Sequence, residues 1–212
     1  MAAFVVAGAF TIHVLNGLVI ERTVLHLTSY DDYAKVDKIA EAVGSAPWRL
    51  SGLGHLCTGF AMVVLAVGIR QWMDDRGSRL GPLAHGAALV SSAGFVLNGL
   101  SNLLGAQAAH LVADQNPAVR DAVFAGFGVF VPIFNALGIV TLGWVCLLVG
   151  RFVWVEAVLP RWFAVLSFVA GVAGVAFAFA YVPVYLLLDL GWALSLGLLV
   201  IRLRRSSRLV SA

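Results

Sequence analysis

Residues 122–149 read AVFAGFGVFVPIFNALGIVTLGWVCLLV, a stretch that contains no charged side chain. Apolar stretches of more than about 18 residues are typical of transmembrane helices. In hydrocarbon the backbone N–H and C=O groups must be hydrogen-bonded within their own segment, which favours a helix here. At 1.5 Å per residue the helix would be about 40 Å long, more than the roughly 30 Å of the hydrocarbon core. We therefore expect it to tilt, to project from the membrane, or to kink at Pro132.

Five further apolar stretches of similar character flank this one along the chain. With residues 122–149 they predict an all-α integral membrane protein, a single domain over residues 1–212 with six spans. Only 12% of the residues are charged, 61% are apolar and the mean hydropathy is +0.94, whereas soluble domains are about 25% charged. The other spans lie near residues 2–20, 50–69, 80–104, 162–181 and 184–201, and a basic tail covers 202–212. The last two spans should form a hairpin around Val182-Pro183.

Lysine and arginine residues set the predicted orientation. If both termini lie on one side, that side carries nine of them and the opposite side five. The nine are Arg70, Arg76, Arg79, Arg151, Arg161, Arg202, Arg204, Arg205 and Arg208; the five are Arg22, Lys35, Lys38, Arg49 and Arg120. The positive-inside rule then places both termini in the cytoplasm, although four of the five opposing charges lie in the first loop. The excess of arginine over lysine is typical of a GC-rich bacterial genome, and we expect a bacterial plasma membrane protein whose first span is retained.

The first loop, residues 21–49, is the long one. Ser29 to Val43 has the apolar spacing of one short amphipathic helix on the outer surface, begun by a capping box of Ser29 with Asp32 and ended at Gly44. Pro47-Trp48-Arg49 is typical of an interfacial anchor. Such a helix covers the end of the bundle, either as a fixed surface or as a lid over a binding site.

Several segments of the chain resemble a known family. The segments are Arg49-Leu50 at the start of a helix, the long third span after Leu80-Gly81, and Leu159-Pro160-Arg161-Trp162 before a helix rich in glycine and alanine. They resemble the bacterial membrane family catalogued as domain of unknown function 4386. The resemblance implies a six-helix bacterial membrane protein and implies no activity.

Polar side chains within the spans are concentrated toward the predicted outer half. Ionisable groups there are costly and commonly functional, so we predict catalytic or ligand-orienting roles for Asp189, Glu21 and His55. Asp189 shares a helix face with Tyr185 and Trp192. The expected ligand-binding residues are Asn16, Asn98, Asn102, Tyr185, Trp192, Asn135, Phe127 and Phe134. The alternative is that the polar groups only bond neighbouring helices and that the aromatic rings only pack the core.

Two functions of different class fit this pattern. The first is binding of a lipophilic or amphiphilic small molecule, of lipid or isoprenoid type, in an outward-facing polar and aromatic pocket. The second is an intramembrane enzyme in which carboxylates cyclise or isomerise an isoprenoid by acid–base chemistry, without nucleotide or metal. A haem held by His13 and His55, or a transporter, is a weaker alternative.

The remaining expectations concern cofactors and partners. We expect no cofactor, no metal and no nucleic acid, and membrane lipids as partners; whether the chain forms a homo-oligomer stays open. The sequence lacks a nucleophilic triad, a phosphate-binding glycine loop and a Mg²⁺-binding aspartate cluster, which argues against hydrolases and nucleotide-driven pumps. Cys57 and Cys146 should lie too far apart for a disulfide.

Overall fold

The computed structural model describes residues 2–113, 116–180 and 184–210, which form helices and no strand. The helices are α1 (Ala2–Leu15), its π-helical continuation π1 (Asn16–Val24), α2 (Tyr30–Tyr33), α3 (Val36–Ala42), α4 (Ala46–Asp74), α5 (Gly81–Leu100), its π-helical continuation π2 (Ser101–Gly105), α6 (Ala106–Ala113), α7 (Pro117–Glu156), α8 (Arg161–Ala176) and α9 (Val184–Val210). The expected hairpin at Val182-Pro183 lies outside the described residues, as do Tyr181 and positions 211 and 212 of the basic tail.

Four helical stretches in the described part of the chain are long and apolar enough to cross a membrane: Ala46–Asp74, Gly81–Gly105, Pro117–Glu156 and Val184–Arg202. Large apolar side chains on their outer faces are exposed, for example Phe60 at 63%, Leu83 at 60% and Phe130 at 57%. Such extensive exposure favours a lipid environment. The four stretches are fewer than the six predicted spans. Helix α1 has 14 residues and α8 has 16, so each is shorter than the roughly 18 residues of a typical span.

The long helices extend beyond the predicted spans. Helix α7 has 40 residues and is therefore about 60 Å long, so it projects well past a hydrocarbon core of about 30 Å. Pro132 lies within it, as expected. Helix α4 likewise starts before and ends after the predicted 50–69.

Glycine allows close contact between helices of the bundle. A Cβ atom on Gly94 of α5 would lie 2.5 Å from the backbone nitrogen of Gly138 in α7. Close backbone approach through small residues is typical of helices that pack within membranes. Helix α1 packs against α4 and α9, and α8 packs against α7 and α9.

Residues 25–45 form a cap at the end of the bundle where α4 begins. The predicted single helix is wrong: Lys35 is extended, with φ −87° and ψ 104°, and separates α2 from α3. The Ser29 capping box is also wrong, because Asp32 instead accepts hydrogen bonds from the backbone and side chain of Thr28. The stop at Gly44 is confirmed by its positive φ of 85°, which glycine adopts readily.

The cap has its own apolar core. Leu27, Ile39 and Val43 pack with Trp48 of α4 and Phe124 of α7. Trp48 is 1% exposed, so its predicted role as an interfacial anchor is wrong, because the cap covers its indole. Tyr30 links the cap to the end of α8 by donating a hydrogen bond to the carbonyl of Phe177, 2.9 Å away.

Candidate functional site

A buried hydrogen-bond network lies beneath the cap, centred on the Oε1 atom of Glu21. This oxygen accepts a hydrogen bond from Ser51 Oγ at 2.8 Å and lies 2.8 Å from His55 Nε2. Asn16 Nδ2 donates to it at 3.3 Å and lies 3.2 Å from Ser51 Oγ. All four side chains are buried. A buried carboxylate is stable only when donors or opposite charge surround it, and the network supplies several.

The π-helical winding of π1 brings Asn16 and Glu21 together. In an α-helix, residues five apart point about 140° away from each other. In a π-helix the hydrogen bonds join residues five apart, so the two side chains lie on one side of the helix. π-Helical turns are frequent at functional sites.

A second π-helical segment reaches the same network from α5. Asn102, in π2, places its Nδ2 3.5 Å from Ser51 Oγ. A Cβ atom on Gly52 would lie 2.9 Å from Asn102 Cβ, and one on Gly54 would lie 3.2 Å from Asn16 Cγ. The absence of side chains at these two glycines of α4 therefore makes room for both asparagines.

Aromatic and imidazole rings form the inner side of the network. The His13 ring lies 5.9 Å from the His55 ring, 5.0 Å from Phe95 and 6.4 Å from Tyr185, measured between centroids. Phe95 stacks on His55 at 6.2 Å with an interplanar angle of 11°. Both His13 nitrogens and Nδ1 of His55 are buried and have no hydrogen-bond partner among the described residues.

Asp189 lies one helical turn beyond Tyr185 and is 1% exposed. Both of its carboxyl oxygens are buried without a hydrogen-bond partner in residues 2–113, 116–180 and 184–210. Asn16, Glu21, His55 and Asn102 are thus joined in one network with Ser51. Asp189 is not hydrogen-bonded to these residues, and Tyr185, one turn before it, lies 6.4 Å from the His13 ring between centroids.

The other predicted site residues lie around or outside this centre. Trp192 donates to Ser167 Oγ at 2.9 Å and stacks on Phe163 in the α8–α9 interface. Phe127 packs against Trp48 below the cap, and Phe134 stacks with the exposed Phe130. Asn98 and Asn135 are buried, each with an amide oxygen that lacks a partner in the described structure.

The sequence reasoning underrated three residues. Ser51 bridges Glu21, Asn16 and Asn102, yet a serine early in a span carries little sequence signal. His13 enters the sequence analysis only as an alternative haem ligand, and Phe95, an apolar residue within a span, carries no signal for a site. Their proximity to His55 depends on how α1, α4 and α5 pack, which spacing within one helix does not report.

The site is closed, whereas the sequence predicted an outward-facing pocket. Trp48 lies one turn before Ser51, and Ala106 lies one turn after Asn102; both belong to the apolar core of the cap. The cap therefore lies about one helical turn outside the network. A surface cavity of about 210 Å³ lies on the cap, and its lining residues include His26, Lys38 and Glu41.

Asp32 holds the cap in its folded form. Lys38 Nζ donates to Oδ1 of Asp32 at 2.8 Å, and Thr28 N and Oγ1 donate to Oδ2 at 2.9 and 2.7 Å. The hydrogen bond from the Lys38 ammonium, together with those from Thr28, holds the pKa of Asp32 well below its usual range.

His13 and His55 are the haem ligands that the sequence offered as an alternative. In the described part of the chain, no group of three or more histidine, cysteine, aspartate and glutamate side chains could hold a metal ion. Phe95 packs against both His13 and His55. Cys57 and Cys146 are free thiols, as expected.

Comparisons with known proteins provide no relative of this chain: no family model matches it, and neither a curated protein nor a solved structure does.

Proposed function

We propose that the chain is a six-span protein of the bacterial plasma membrane that binds a lipophilic or amphiphilic small molecule, of lipid or isoprenoid type, at the buried site around Glu21, His55 and His13. Both termini lie in the cytoplasm in this proposal, and the cap lies on the opposite side. Membership of the family of unknown function 4386 is proposed with it, from the sequence resemblance.

Two helices are added to the four long apolar stretches to reach six spans. Helix α1 with π1 runs from Ala2 to Val24 and packs between α4 and α9; its 14 α-helical residues span about 21 Å, and the nine residues of π1 extend it further. Helix α8 lies alongside α7: a Cβ on Gly143 would be 2.8 Å from the Gly171 carbonyl oxygen, and one on Gly150 would be 3.1 Å from Ser167 Cβ. Gly143 and Gly150 lie within the long apolar stretch of α7. In this proposal α8, which packs against them, therefore lies at the same membrane depth as that part of α7.

The observation that carries the proposal is the set of unpartnered polar atoms on His13, His55 and Asp189. A buried polar atom without a hydrogen bond costs about 1–3 kcal/mol, so a ligand that bonds to these atoms recovers part of that cost. The surrounding rings of Phe95 and Tyr185 suit the apolar part of such a ligand. Because the site is closed, the ligand enters by movement of the cap or between helices.

An acid–base enzyme is the second candidate, favoured by the geometry of His55. Glu21 binds its Nε2 and leaves Nδ1 facing the interior. A carboxylate that orients one nitrogen of an imidazole while the other exchanges a proton is a recurring arrangement in general acid–base catalysis. Cyclisation or isomerisation of an isoprenoid by proton transfer needs neither a nucleotide nor a metal.

Mass spectrometry of the purified protein tests the binding proposal. Solvent extraction of the wild type should release a small lipophilic molecule in near-stoichiometric amount, and extraction of His13→Phe should release little. A Cys57→Ser variant, changed on an exposed face of α4, should retain the molecule. Equal retention by His13→Phe would contradict the proposal. A released compound that the wild type converts and Glu21→Gln binds without converting would favour the enzyme.

A further inference from the structure

A second cavity lies at the end of the bundle opposite the cap. It has a volume of about 320 Å³ and lies between the α4–α5 turn and the end of α7. Ser78, Arg79, Arg151 and Glu156 are among its lining residues. Neither Arg79 nor Arg151 forms an ion pair with a described residue. Two guanidinium groups and one carboxylate give this cavity a net positive charge.

Leu80, Phe152 and Val155 add apolar surface to the lining, and Trp72 packs against Phe152. Arg76 lies over the Trp72 ring at 5.7 Å, and Arg161 lies over the Trp154 ring at 5.8 Å. Tryptophan and arginine at the same level are typical of the membrane–water interface. Val155, which also lines the cavity, is 62% exposed. The cavity therefore lies where a polar lipid headgroup meets its acyl chains.

We propose that this cavity binds the headgroup of an anionic phospholipid such as phosphatidylglycerol. Arg79 and Arg151 hold the phosphodiester, because the planar guanidinium group binds phosphate oxygens in pairs. Glu156 and Ser78 accept hydrogen bonds from the glycerol hydroxyls, and the acyl chains lie along Val155. Basic cavities between helices on the cytoplasmic side commonly bind anionic lipids. The inference rests on the proposed membrane orientation and is independent of the buried site.

Native mass spectrometry and thermal unfolding in detergent test this assignment. Titration with phosphatidylglycerol should give bound lipid and a higher melting temperature at concentrations at least tenfold below those required of phosphatidylcholine. The Arg79→Gln/Arg151→Gln double variant should lose this preference. A matching Arg79→Lys/Arg151→Lys variant should keep part of it, because charge remains while the paired geometry is lost.

Two controls make the result decisive. Arg49→Gln removes an exposed cation at the opposite end of α4 and should keep the full preference. Inorganic phosphate should not raise the melting temperature, because it lacks the acyl chains. Equal affinity for both lipids, equal loss in Arg49→Gln, or equal stabilisation by phosphate alone would each overturn the proposal. His13→Phe should leave lipid preference unchanged, so failure of the buried site is distinguishable.

Discussion

One oxygen of the Glu21 carboxylate interacts with three side chains, on π1 and α4. Replacing Glu21 by alanine leaves Ser51 and His55 without this acceptor inside the bundle. A buried donor left without an acceptor costs about 1–3 kcal/mol, and we expect Glu21→Ala to lower the stability by at least that order. Chemical denaturation in detergent measures it. Glu41→Ala changes an exposed acid of the cap and should have little effect; an equal loss would contradict the role of the network.

Asp189 gives the opposite expectation for stability. Its oxygens have no partner in the described residues, so Asp189→Asn keeps the shape and removes a buried ionisable group. We expect an unchanged or higher melting temperature together with reduced retention of the extracted ligand. Asp74→Asn, which changes an exposed acid paired with Arg70, should leave retention unchanged. An Asp189→Asn protein that melts early yet retains its ligand would remove Asp189 from the site.

The sequence predicts which residues belong to the site better than it predicts how they contact one another. Asn16, Glu21, His55 and Asn102 are conspicuous because polar groups within apolar spans are rare. Their contacts could not be predicted, because α-helical geometry points Asn16 and Glu21 in different directions. The π-helical winding that joins them has no sequence signature. Trp192 shares a face with Asp189, but its indole N–H is taken by Ser167.

At the scale of the helices, close glycine contacts determine how α5 and α7 pack. Alanine at Gly94 would place its Cβ 2.5 Å from the Gly138 nitrogen, so the helices must separate. We expect Gly94→Ala to destabilise the protein by about 1–3 kcal/mol. Alanine at Gly86 of the same helix meets nothing within 4 Å and should be neutral or stabilising by up to about 1 kcal/mol. Thermal unfolding of the two variants compares them, and equal melting temperatures would contradict this packing.

The cap should respond to acid through Asp32. Its pKa is lowered in the folded cap, so the stabilisation is complete above the ordinary carboxylate pKa of about 4 and is lost as the pH falls below it. The hydrogen-exchange protection factors of residues 26–43, corrected for the intrinsic pH dependence of exchange, should therefore fall below about pH 4. Asp32→Asn should exchange fast at neutral pH with little further change in acid, whereas Asp37→Asn, at an exposed position of α3, should behave as wild type. An acid response unchanged by Asp32→Asn would contradict this role.

The sequence predicts the presence of the long helices better than the residues at which they begin and end. Charge gaps located the long apolar stretches, but α7 continues through Arg120 and Arg151 because a helix that projects from the membrane can carry charge. The apolar spacing continues across Lys35 and therefore does not predict the break there. Its cause is tertiary: both Lys35 and Lys38 bond to Asp32, which draws the ends of α2 and α3 together.

Across the whole molecule, the two proposed sites lie at opposite ends of the bundle. The buried network lies at the cap end. The cavity lined by Arg79 and Arg151 lies at the other end, together with the exposed Trp154 and Trp162. This separation gives the two proposed sites different ligands: one enclosed by helices and cap, the other open to the interface. It also makes the orientation testable, because each end carries distinct exposed positions.

The topology prediction follows from this separation. In a Cys57→Ser background, a cysteine at Asp75 in the α4–α5 turn should be shielded from membrane-impermeant thiol reagents in intact cells, because that end carries most of the arginines. A cysteine at Ala118, near the start of α7, should react. Both positions are exposed, and Asp75→Cys should react once the cells are permeabilised, which shows that shielding comes from the membrane. Reversed labelling would place the cap in the cytoplasm. It would also place the arginine cavity outside, against the leaflet charge on which the phospholipid proposal depends.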